Sequence, residues 1–565
     1  MDAGTATLHL PRAAFPAPMH LRTPVLAVLA VLVAAGASGG TAAGASAQDF
    51  PVSAATYLGG AGDDDAAGVD LLPDGTVVVA ATAAGLPPGI PTVAVAGGGA
   101  GVVLRLTSDG RRALGAVRVG TAVTDVEAGP DGRVAVAAQG VGPVVLDGDA
   151  LVWLAPLPTV ARVARAADGT VAALTSGKTV VVYDGAGTEL GRRTFADSFV
   201  EDVAVDAATG LVFVTGYNNK NTGQEPIQVA FVRAFTRDMA AQRWRNYDWA
   251  GSVGRAEQSP NVADSRGYRV AMGRDGQLYF GGESHGGNTT FFYDPQQVSV
   301  RLGADRLVAY DAYTTGYNTA SNPLTVVGRF DPATGAVDRI QLVLGRLPST
   351  RGNTVRPRGI TADAAGRVYV AGAAAAYIQG RDGTAMSVGG QPLAVYSGFE
   401  AFLLVVAPDF RSREAWTAFS AGGPHASTGT GVAVRGAALA LTATAETATT
   451  QFVTANALQA ARGAGTKGYV VVRGPQPVSG DAWPDTGTAD GAALRVRVIG
   501  SPARTAVRVE VSGDDVAVTL VDALGRTVRA LTPGVVDVSG LAPGVYHVRA
   551  EGGGRVAAAP LVVVR

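Results

Sequence analysis

The sequence predicts an all-β protein on three observations. The chain is rich in turn residues, with 76 Gly and 30 Pro among 565 residues. Its apolar segments are short runs of Val, Ala and Leu, and few of them follow the 3.6-residue period of an amphipathic helix. A strand–turn–strand pattern also recurs along most of the chain. A chain of this length has room for one large domain and one small domain.

Charge and cysteine content narrow the classes of function. Lys and Arg total 46 and Asp and Glu total 47, a balance that argues against nucleic acid and anionic membranes as partners. Cysteine is absent, so the chain has no disulfide, no thiol nucleophile and no Cys-ligated metal site. The fold must therefore be held by burial and sheet pairing alone.

Residues 1–47 have the features of a signal peptide. The apolar core Pro24–Ala35 has the length of a signal-peptide core and is too short to span a membrane. Ala45-Ser46-Ala47 is a small-x-small cleavage site, which predicts a mature chain that begins at Gln48. The residues before Met19 are weakly basic, so Met19 is an alternative start. No other segment is predicted to cross a bilayer.

An imperfect repeat occupies residues 48–473. Its unit is an apolar strand, a turn closed by Gly and a second apolar strand, and an outer pair of strands follows most copies. The turn glycines of the seven copies are Gly75, Gly132, Gly169, Gly210, Gly276, Gly366 and Gly436. They recur about every 60 residues, a spacing that suits propeller blades of about 40–50 residues with loop insertions. The repeat predicts a β-propeller of about seven blades. A ring of six or eight blades and an array of β-sandwiches are the alternatives.

Ring closure would explain how an exported chain without cysteine is stable, because blades pack on blades and few long strand edges stay exposed. The strand Ala55–Leu58 is predicted to pair with the last blade. The segment Ala55-Thr-Tyr-Leu-Gly-Gly-Ala-Gly-Asp-Asp64, with the hairpin after it, resembles the SBBP-type β-propeller repeats of bacterial exported proteins. The later copies match that repeat less closely.

Residues 494–565 form a second pattern of short strands and turns. Val507, Val509 and Val511 alternate with polar residues, and the turns include Asp522-Ala-Leu-Gly525 and Pro543-Gly544. About seven strands are predicted, enough for a small immunoglobulin-like β-sandwich. A linker rich in Pro, Gly and Asp, residues 474–493, separates this domain from the repeat.

The C-terminal region closely resembles the type A sorting domain of cargo for the type IX secretion system of Bacteroidota-like bacteria. Ser501-Pro502 stands where that family usually has Asn-Pro, and a generic immunoglobulin-like domain is the alternative. The residues that carry the sorting resemblance are Asp522, Gly525, Arg526, Leu541, Gly544 and Tyr546. The resemblance implies transport across the outer membrane and removal of the domain near Gly474–Gly491. The propeller would then be secreted or attached to the cell surface.

The inventory for catalysis is small. His285 and His425 are the only histidines of the repeat region, which excludes a histidine-rich metal site, and no Gly-x-Ser-x-Gly elbow accompanies them. No cofactor is predicted. Asp63-Asp64-Asp65 lacks the ligand spacing of a calcium loop, and turn capping is the favoured interpretation over Ca²⁺. Asp248, Glu283 and Asp294 are the carboxylates that an acid–base hydrolase could use.

One region differs from the Ala, Val and Gly of the rest, because it is rich in Tyr, Asn, Asp and Thr. Such residues suit adaptable recognition of sugars or extended peptides, although long insertions also need polar and aromatic residues for packing. The candidate ligand-binding residues are Tyr217, Asn218, Trp249, Glu283, His285, Tyr293, Tyr313 and Tyr317.

Three classes of function follow from the sequence. The first is a non-catalytic, monomeric binding or scaffolding module that is exported through the type IX machinery and binds a glycan or peptide. The second is an extracellular propeller enzyme, a glycan lyase or hydrolase. The third is a structural adhesin without a soluble ligand.

Overall fold

The fold is all-β, as the sequence predicts. A computed structural model describes residues 48–221, 226–248, 263–285, 288–297, 299–308, 323–347, 352–375, 377–378, 386–393, 398–420, 427–446, 451–474, 495–499, 505–512, 516–522, 526–532, 534–552 and 555–563. Regular structure in these ranges is strand apart from a single 3-10 turn, Thr290–Phe292. None of the described helical structure is long and apolar enough to cross a membrane. The predicted signal peptide and all of the predicted linker except Gly474 lie outside the described residues.

The chain divides into two compact units, Met1–Pro477 and Val478–Arg565. The first unit begins with β1 (Gln48–Phe50) and β2 (Ala54–Leu58). Its strands then follow in sheets that we number in chain order. Sheet 1 contains β3 (Asp65–Leu71), β4 (Val77–Thr82), β5 (Thr92–Ala96), β6 (Gly101–Leu106) and β7 (Ala113–Val119). Sheet 2 contains β8 (Ala122–Ala128), β9 (Arg133–Gln139), β10 (Gly142–Asp147) and β11 (Ala150–Leu154). Sheet 3 contains β12 (Val160–Arg165), β13 (Val171–Thr175), β14 (Thr179–Tyr183) and β15 (Glu189–Thr194). Sheet 4 contains β16 (Phe199–Asp206), β17 (Leu211–Asn221), β18 (Pro226–Thr236) and β19 (Gln242–Asn246).

The remaining sheets of the first unit carry the longer insertions. Sheet 5 contains β20 (Ser265–Met272), β21 (Leu278–Ser284), β22 (Leu307–Val308), β23 (Leu324–Phe330) and β24 (Val337–Val343). Two short strands, β25 (Gly345–Arg346) and β26 (Gly352–Asn353), pair with each other. Sheet 6 contains β27 (Val355–Ala362), β28 (Val368–Ala374), β31 (Glu400–Val406) and β32 (Arg413–Ala418), and its insertion forms β29 (Met386–Val388) and β30 (Gln391–Pro392), which join β1. Sheet 7 contains β33 (Thr428–Arg435), β34 (Ala438–Ala445), β35 (Lys467–Arg473) and the N-terminal strand β2.

The seven predicted hairpins are confirmed as the first two strands of sheets 1 to 7. Each predicted turn glycine has a positive φ, between 57° and 89°, which glycine adopts without the steric cost that other residues incur. The predicted pairing of the N-terminal strand is also confirmed, because β2 runs antiparallel to β35 from Ala54–Val472 to Leu58–Gly468. The first and last parts of the unit thus share one sheet.

The sheets contact one another in a cycle. The first strand of each sheet contacts the first strand of the next, and β33 of sheet 7 contacts β3 of sheet 1. Seven hydrophobic clusters match this order, each shared by two neighbouring sheets. The cluster between sheets 7 and 1, for example, combines Val470 and Val472 with Val79 and Leu104. Burial on both faces of every sheet therefore supplies the cohesion that disulfides cannot.

A β-bulge lies at the same place in the first strand of all seven sheets. The bulged residues are Ala67, Thr124, Ala161, Glu201, Tyr268, Arg358 and Thr430. A bulge leaves one residue outside the pairing register and redirects its side chain. The second residue after each bulge is β-branched and buried in every sheet: Val69, Val126, Val163, Val203, Val270, Ile360 and Val432. Packing between sheets therefore constrains the second residue after the bulge, whereas the bulged residue itself varies from sheet to sheet.

The second unit consists of two sheets. The strands are β36 (Arg495–Ile499), β37 (Ala506–Ser512), β38 (Ala517–Asp522), β39 (Thr527–Leu531), β40 (Gly534–Asp537), β41 (Gly544–Gly552) and β42 (Arg555–Val563). One sheet has the order β36-β37-β40 and the other β39-β38-β41-β42. Alternating residues of the two sheets, such as Val507, Val509, Val518 and Leu520, share one hydrophobic cluster.

Candidate functional site

A polar cavity lies where the first strands of the seven sheets meet. Its volume is about 510 Å³, and all seven first strands contribute to its lining. A narrower space of about 90 Å³ adjoins it, and the two share the lining residues Ala67, Arg162, Arg269, Arg358 and Thr430. We call the larger space the central cavity. Its size falls within the range of small-molecule pockets.

The bulged residues supply much of the lining of the central cavity. Six of the seven bulged residues line it: Ala67, Thr124, Ala161, Glu201, Arg358 and Thr430. Thr124 donates a hydrogen bond to Ala161 O at 2.9 Å, and Thr430 donates to Ala66 O, so these two hydroxyls also join neighbouring sheets. Only Glu201 and Arg358 among these six residues carry a charge. The repeated backbone geometry thus displays different chemistry from sheet to sheet.

The residue after each bulge differs between the two sides of the cycle. Sheets 6, 7 and 1 carry Gly359, Gly431 and Gly68, and the backbones there approach closely: a Cβ on Gly431 would lie 3.1 Å from Gly68 Cα. Sheets 2 to 5 carry charged residues in alternating order: Asp125, Arg162, Asp202 and Arg269. Glycine therefore allows backbone contact on one side, whereas charged side chains of alternating sign lie on the other.

The alternating charges fasten sheet to sheet. Asp125 Oδ2 accepts a hydrogen bond from Val163 N of sheet 3, and Asp202 Oδ2 accepts one from Val270 N of sheet 5, both at 3.1 Å. Arg162 Nη1 lies 3.8 Å from Asp125 Oδ1. Burial raises the pKa of Asp125 to about 6 although Arg162 opposes the change, and burial lowers the pKa of Arg269 to about 10. These charged residues therefore have partners within the protein and contribute to contacts between neighbouring sheets.

Two charged side chains of the central cavity lack such partners among the described residues. Arg358 and Glu201 make no side-chain hydrogen bond or ion pair with any other residue that the structure describes. The Arg358 guanidinium lies over the Tyr268 ring, 5.4 Å from its centroid. Burial lowers the pKa of Arg358 and raises the pKa of Glu201. Each charge is thus partly desolvated and lacks a direct counter-ion.

A buried carboxylate contacts Tyr268, the bulged residue of sheet 5. Glu283 is 0% exposed, and its Oε1 atom is within hydrogen-bond distance of Arg266 Nη1 at 2.5 Å, Tyr268 OH at 2.7 Å and His285 Nε2 at 2.8 Å. Arg356 Nε donates to Glu283 Oε2 at 2.9 Å. Burial alone would raise the pKa of Glu283, but the hydrogen bond and charge of His285, the charge of Arg356 and the Tyr268 hydroxyl outweigh it and lower that pKa to about 2. We call this group the Glu283 clamp.

The predicted ligand-binding residues fall into three sets. Glu283 and His285 lie in the clamp, and Tyr217 joins them because the Arg266 guanidinium lies 5.7 Å from its ring centroid. Asn218 is buried and donates to Asp197 Oδ1 at 2.6 Å. Tyr293 lies apart, in an isolated bridge with Arg301. The other three, Trp249, Tyr313 and Tyr317, lie outside the described residues.

The carboxylates considered for hydrolysis have separate partners. Asp248 Oδ2 accepts from Arg233 Nε at 2.5 Å, whereas Asp294 Oδ1 accepts from the backbone of Gln296 at 2.9 Å. Neither contact joins them to Glu283. Each carboxylate holds its own part of sheets 4 and 5.

Asp63-Asp64-Asp65 likewise does not form one oxygen cluster. Asp63 accepts from Thr466 N at 2.8 Å, and Asp65 accepts from Thr82 N at 2.9 Å. Asp64 Oδ2 lies 3.0 Å from Lys467 Nζ, with both side chains fully buried. No group of three metal-ligating side chains occurs within the ranges that the structure describes.

Sequence reasoning missed Glu201, Arg358 and Arg162. A signal for Arg358 was present, because the bulged residue lies eight positions before the turn glycine in five of the seven hairpins, as Arg358 does before Gly366. Aligning the hairpins on their turn glycines would have placed Arg358 at a position equivalent to Ala67. It would not have shown that these positions face a common cavity, which depends on cyclic packing of the sheets.

Comparisons with known proteins do not assign the chain to a family. No family model matches the chain, and no curated protein matches it. A solved structure titled Kuenenia stuttgartiensis Hydrazine Synthase is similar with a TM-score of 0.37 and 11% sequence identity, over 74% of this chain and 99% of that chain. A similarity at that TM-score does not assign a fold or a function to this chain.

Proposed function

We propose that this chain is an exported, non-catalytic binding module, built as a seven-bladed β-propeller whose ligand site is the central cavity. Sheets 1 to 7 would be the blades, and β2 would close the ring by completing sheet 7. The cyclic order of strand contacts and the matching order of hydrophobic clusters support this architecture. The observation that carries the function is the pair of partly desolvated, unpaired charges, Arg358 and Glu201, in a cavity to which all seven sheets contribute.

Binding is favoured over the glycan lyase or hydrolase alternative. A carboxylic acid that donates a proton near neutral pH needs a raised pKa, whereas the pKa of Glu283 is lowered to about 2. Its hydrogen bonds from two arginines and a tyrosine suit a structural anion. Asp248 and Asp294 have hydrogen-bond partners of their own, Arg233 and the backbone of Gln296.

We also propose that the second unit is a type IX sorting domain with a β-sandwich fold, and that the chain reaches the outside of the cell, secreted or surface-attached. Support comes from the sequence resemblance and from two local contacts. Arg526 N donates to Asp522 Oδ1 at 3.0 Å within the β38–β39 connection, and Tyr546 OH donates to Ala542 O at 3.0 Å. The other sorting residues are Leu541, Gly544 and Gly525, the last of which lies outside the described residues.

A binding screen tests the proposed function. The purified chain from Gln48 to Arg565 is applied to an array of glycans and short peptides, and hits are checked by calorimetry. We expect at least one ligand whose affinity falls tenfold or more in Arg358→Gln or Glu201→Gln, but not in Arg411→Gln, which changes an exposed arginine without an ion pair among the described residues. Absence of any such ligand for a folded sample would overturn the proposal in favour of a structural adhesin.

The export route is tested separately. In a bacterium with a type IX system, the full chain should appear outside the cell, and a chain that ends at Arg473 should remain in the periplasm. Export of both chains alike would show that residues 494–565 are not the sorting signal.

A further inference from the structure

We propose that the ligand of the central cavity is a small zwitterion with an ammonium and a carboxylate group, of amino-acid or dipeptide size, in which Arg358 binds the carboxylate and Glu201 binds the ammonium. This inference rests on the proposed function, because it names the class of ligand for the same site.

Most charged side chains of the cavity already have a hydrogen bond or an ion pair. Asp65 accepts from Thr82 N at 2.9 Å. Arg162 faces Asp125. The Arg269 guanidinium donates to Tyr268 O at 2.6 Å and to Arg358 O, and the carboxylate of Asp202 offsets its charge. Arg358 and Glu201 then remain as one cation and one anion whose side chains have neither a hydrogen bond nor an ion pair among the described residues.

These two charges lie on alternate sheets. Glu201 is the bulged residue of sheet 4 and Arg358 that of sheet 6, and Tyr268 occupies the same position of sheet 5 between them. They form no ion pair with each other, because no nitrogen–oxygen pair of theirs is within 4.0 Å. The site therefore offers two separated points of opposite charge on one wall.

A ligand of single charge fits this wall poorly. An anion would pair with Arg358 but would lie near the carboxylate of Glu201. A cation would pair with Glu201 but would lie near the guanidinium of Arg358. Removing a charge from water is favourable only when a partner compensates it, so a ligand with both charges gains at both ends. Guanidinium also suits carboxylates because its donors match the two carboxylate oxygens.

The rest of the lining is compatible with such a ligand. Ser176, Thr428 and Thr444 line the cavity, and their hydroxyls can donate to a carboxylate or accept from an ammonium group. A volume of about 510 Å³ leaves room for a backbone between the two charged ends and for ordered water.

Three related dipeptides provide the test. Glycylglycine carries both charges, N-acetylglycylglycine only the negative charge and glycylglycinamide only the positive charge. Calorimetry with the chain from Gln48 to Arg565 should give at least tenfold tighter binding of glycylglycine than of either derivative. In Arg358→Gln the affinity for glycylglycine should fall to that for glycylglycinamide, and in Glu201→Gln to that for N-acetylglycylglycine. Arg411→Gln should bind like the unchanged chain.

Arg358→Lys retains the charge and should still prefer glycylglycine, which covers the case in which Arg358→Gln does not fold. Equal binding of the three dipeptides, or tightest binding of a singly charged one, overturns the zwitterion assignment. If none binds but the array gives a hit that depends on Arg358, only this inference fails. If nothing binds in either experiment, the proposed function fails as well.

Discussion

Replacing Glu283 with Gln tests how much the Glu283 clamp stabilises the junction of sheets 5 and 6. The pKa of Glu283 is about 2, against an ordinary value of 4.5. At about 1.4 kcal/mol per pKa unit this difference corresponds to about 3 kcal/mol. Because the folded-state pKa is the lower one, that stabilisation is complete above pH 4.5 and is lost as the pH falls toward 2. Gln also leaves Arg266 and Arg356 without their buried anion.

We therefore expect Glu283→Gln to lower the free energy of unfolding by about 3 kcal/mol at pH 7 and by clearly less at pH 3. Urea unfolding followed by tryptophan fluorescence measures this, because Trp153, Trp244 and Trp416 are buried in the first unit. Glu189→Gln is the matched control, since Glu189 pairs with Arg192 on the exposed strand β15 and should contribute under about 1 kcal/mol. A Glu283→Gln loss no larger than the control, or one that does not shrink at pH 3, would refute the reasoning.

Three further variants test the packing of the first unit, each by the same unfolding measurement. Lys467→Met leaves buried Asp64 without its partner and should cost about 3–5 kcal/mol; a cost under about 1 kcal/mol would contradict a buried ion pair. Gly431→Ala places a Cβ 3.1 Å from Gly68 Cα, and because backbone must move we expect a loss of about 1–3 kcal/mol. Asp125→Asn removes a carboxyl whose pKa is raised to about 6. A raised carboxyl pKa destabilises the fold as the pH rises from about 4 to 6, so the variant should gain up to about 3 kcal/mol relative to the unchanged chain above pH 6 and nothing below pH 4.

The hairpins could be predicted from the sequence because their signals are local. A turn that needs a positive φ selects glycine, and strands on either side need only short apolar runs, as at Gly132 and Gly276. The pairing of β2 with β35 was also predictable, since an apolar strand that precedes the first hairpin needs a partner and the predicted ring offers one in its last blade.

The site could not be predicted in the same way, because it depends on contacts distant in sequence. Tyr217 was selected for its aromatic ring among polar residues, yet its ring is buried and stacks on Phe199 with a centroid distance of 4.4 Å. Its role in binding stays a prediction. Glu201 and Arg358 lie 157 positions apart in the chain and were not selected. Only the cyclic contact of first strands brings them to one cavity.

The repeated bulge explains why a cavity lined by equivalent positions can be chemically uneven. Two residues beyond the bulge, the side chain is Val or Ile in all seven sheets and is buried between neighbouring sheets. At the bulge itself the side chain leaves the pairing register, and the residues range from Ala67 to Arg358. Burial disfavours the charges of Arg358 and Glu201, as the direction of both pKa changes shows, and no described residue neutralises either one directly. The zwitterion proposed for the central cavity would give each of these two charges a direct partner.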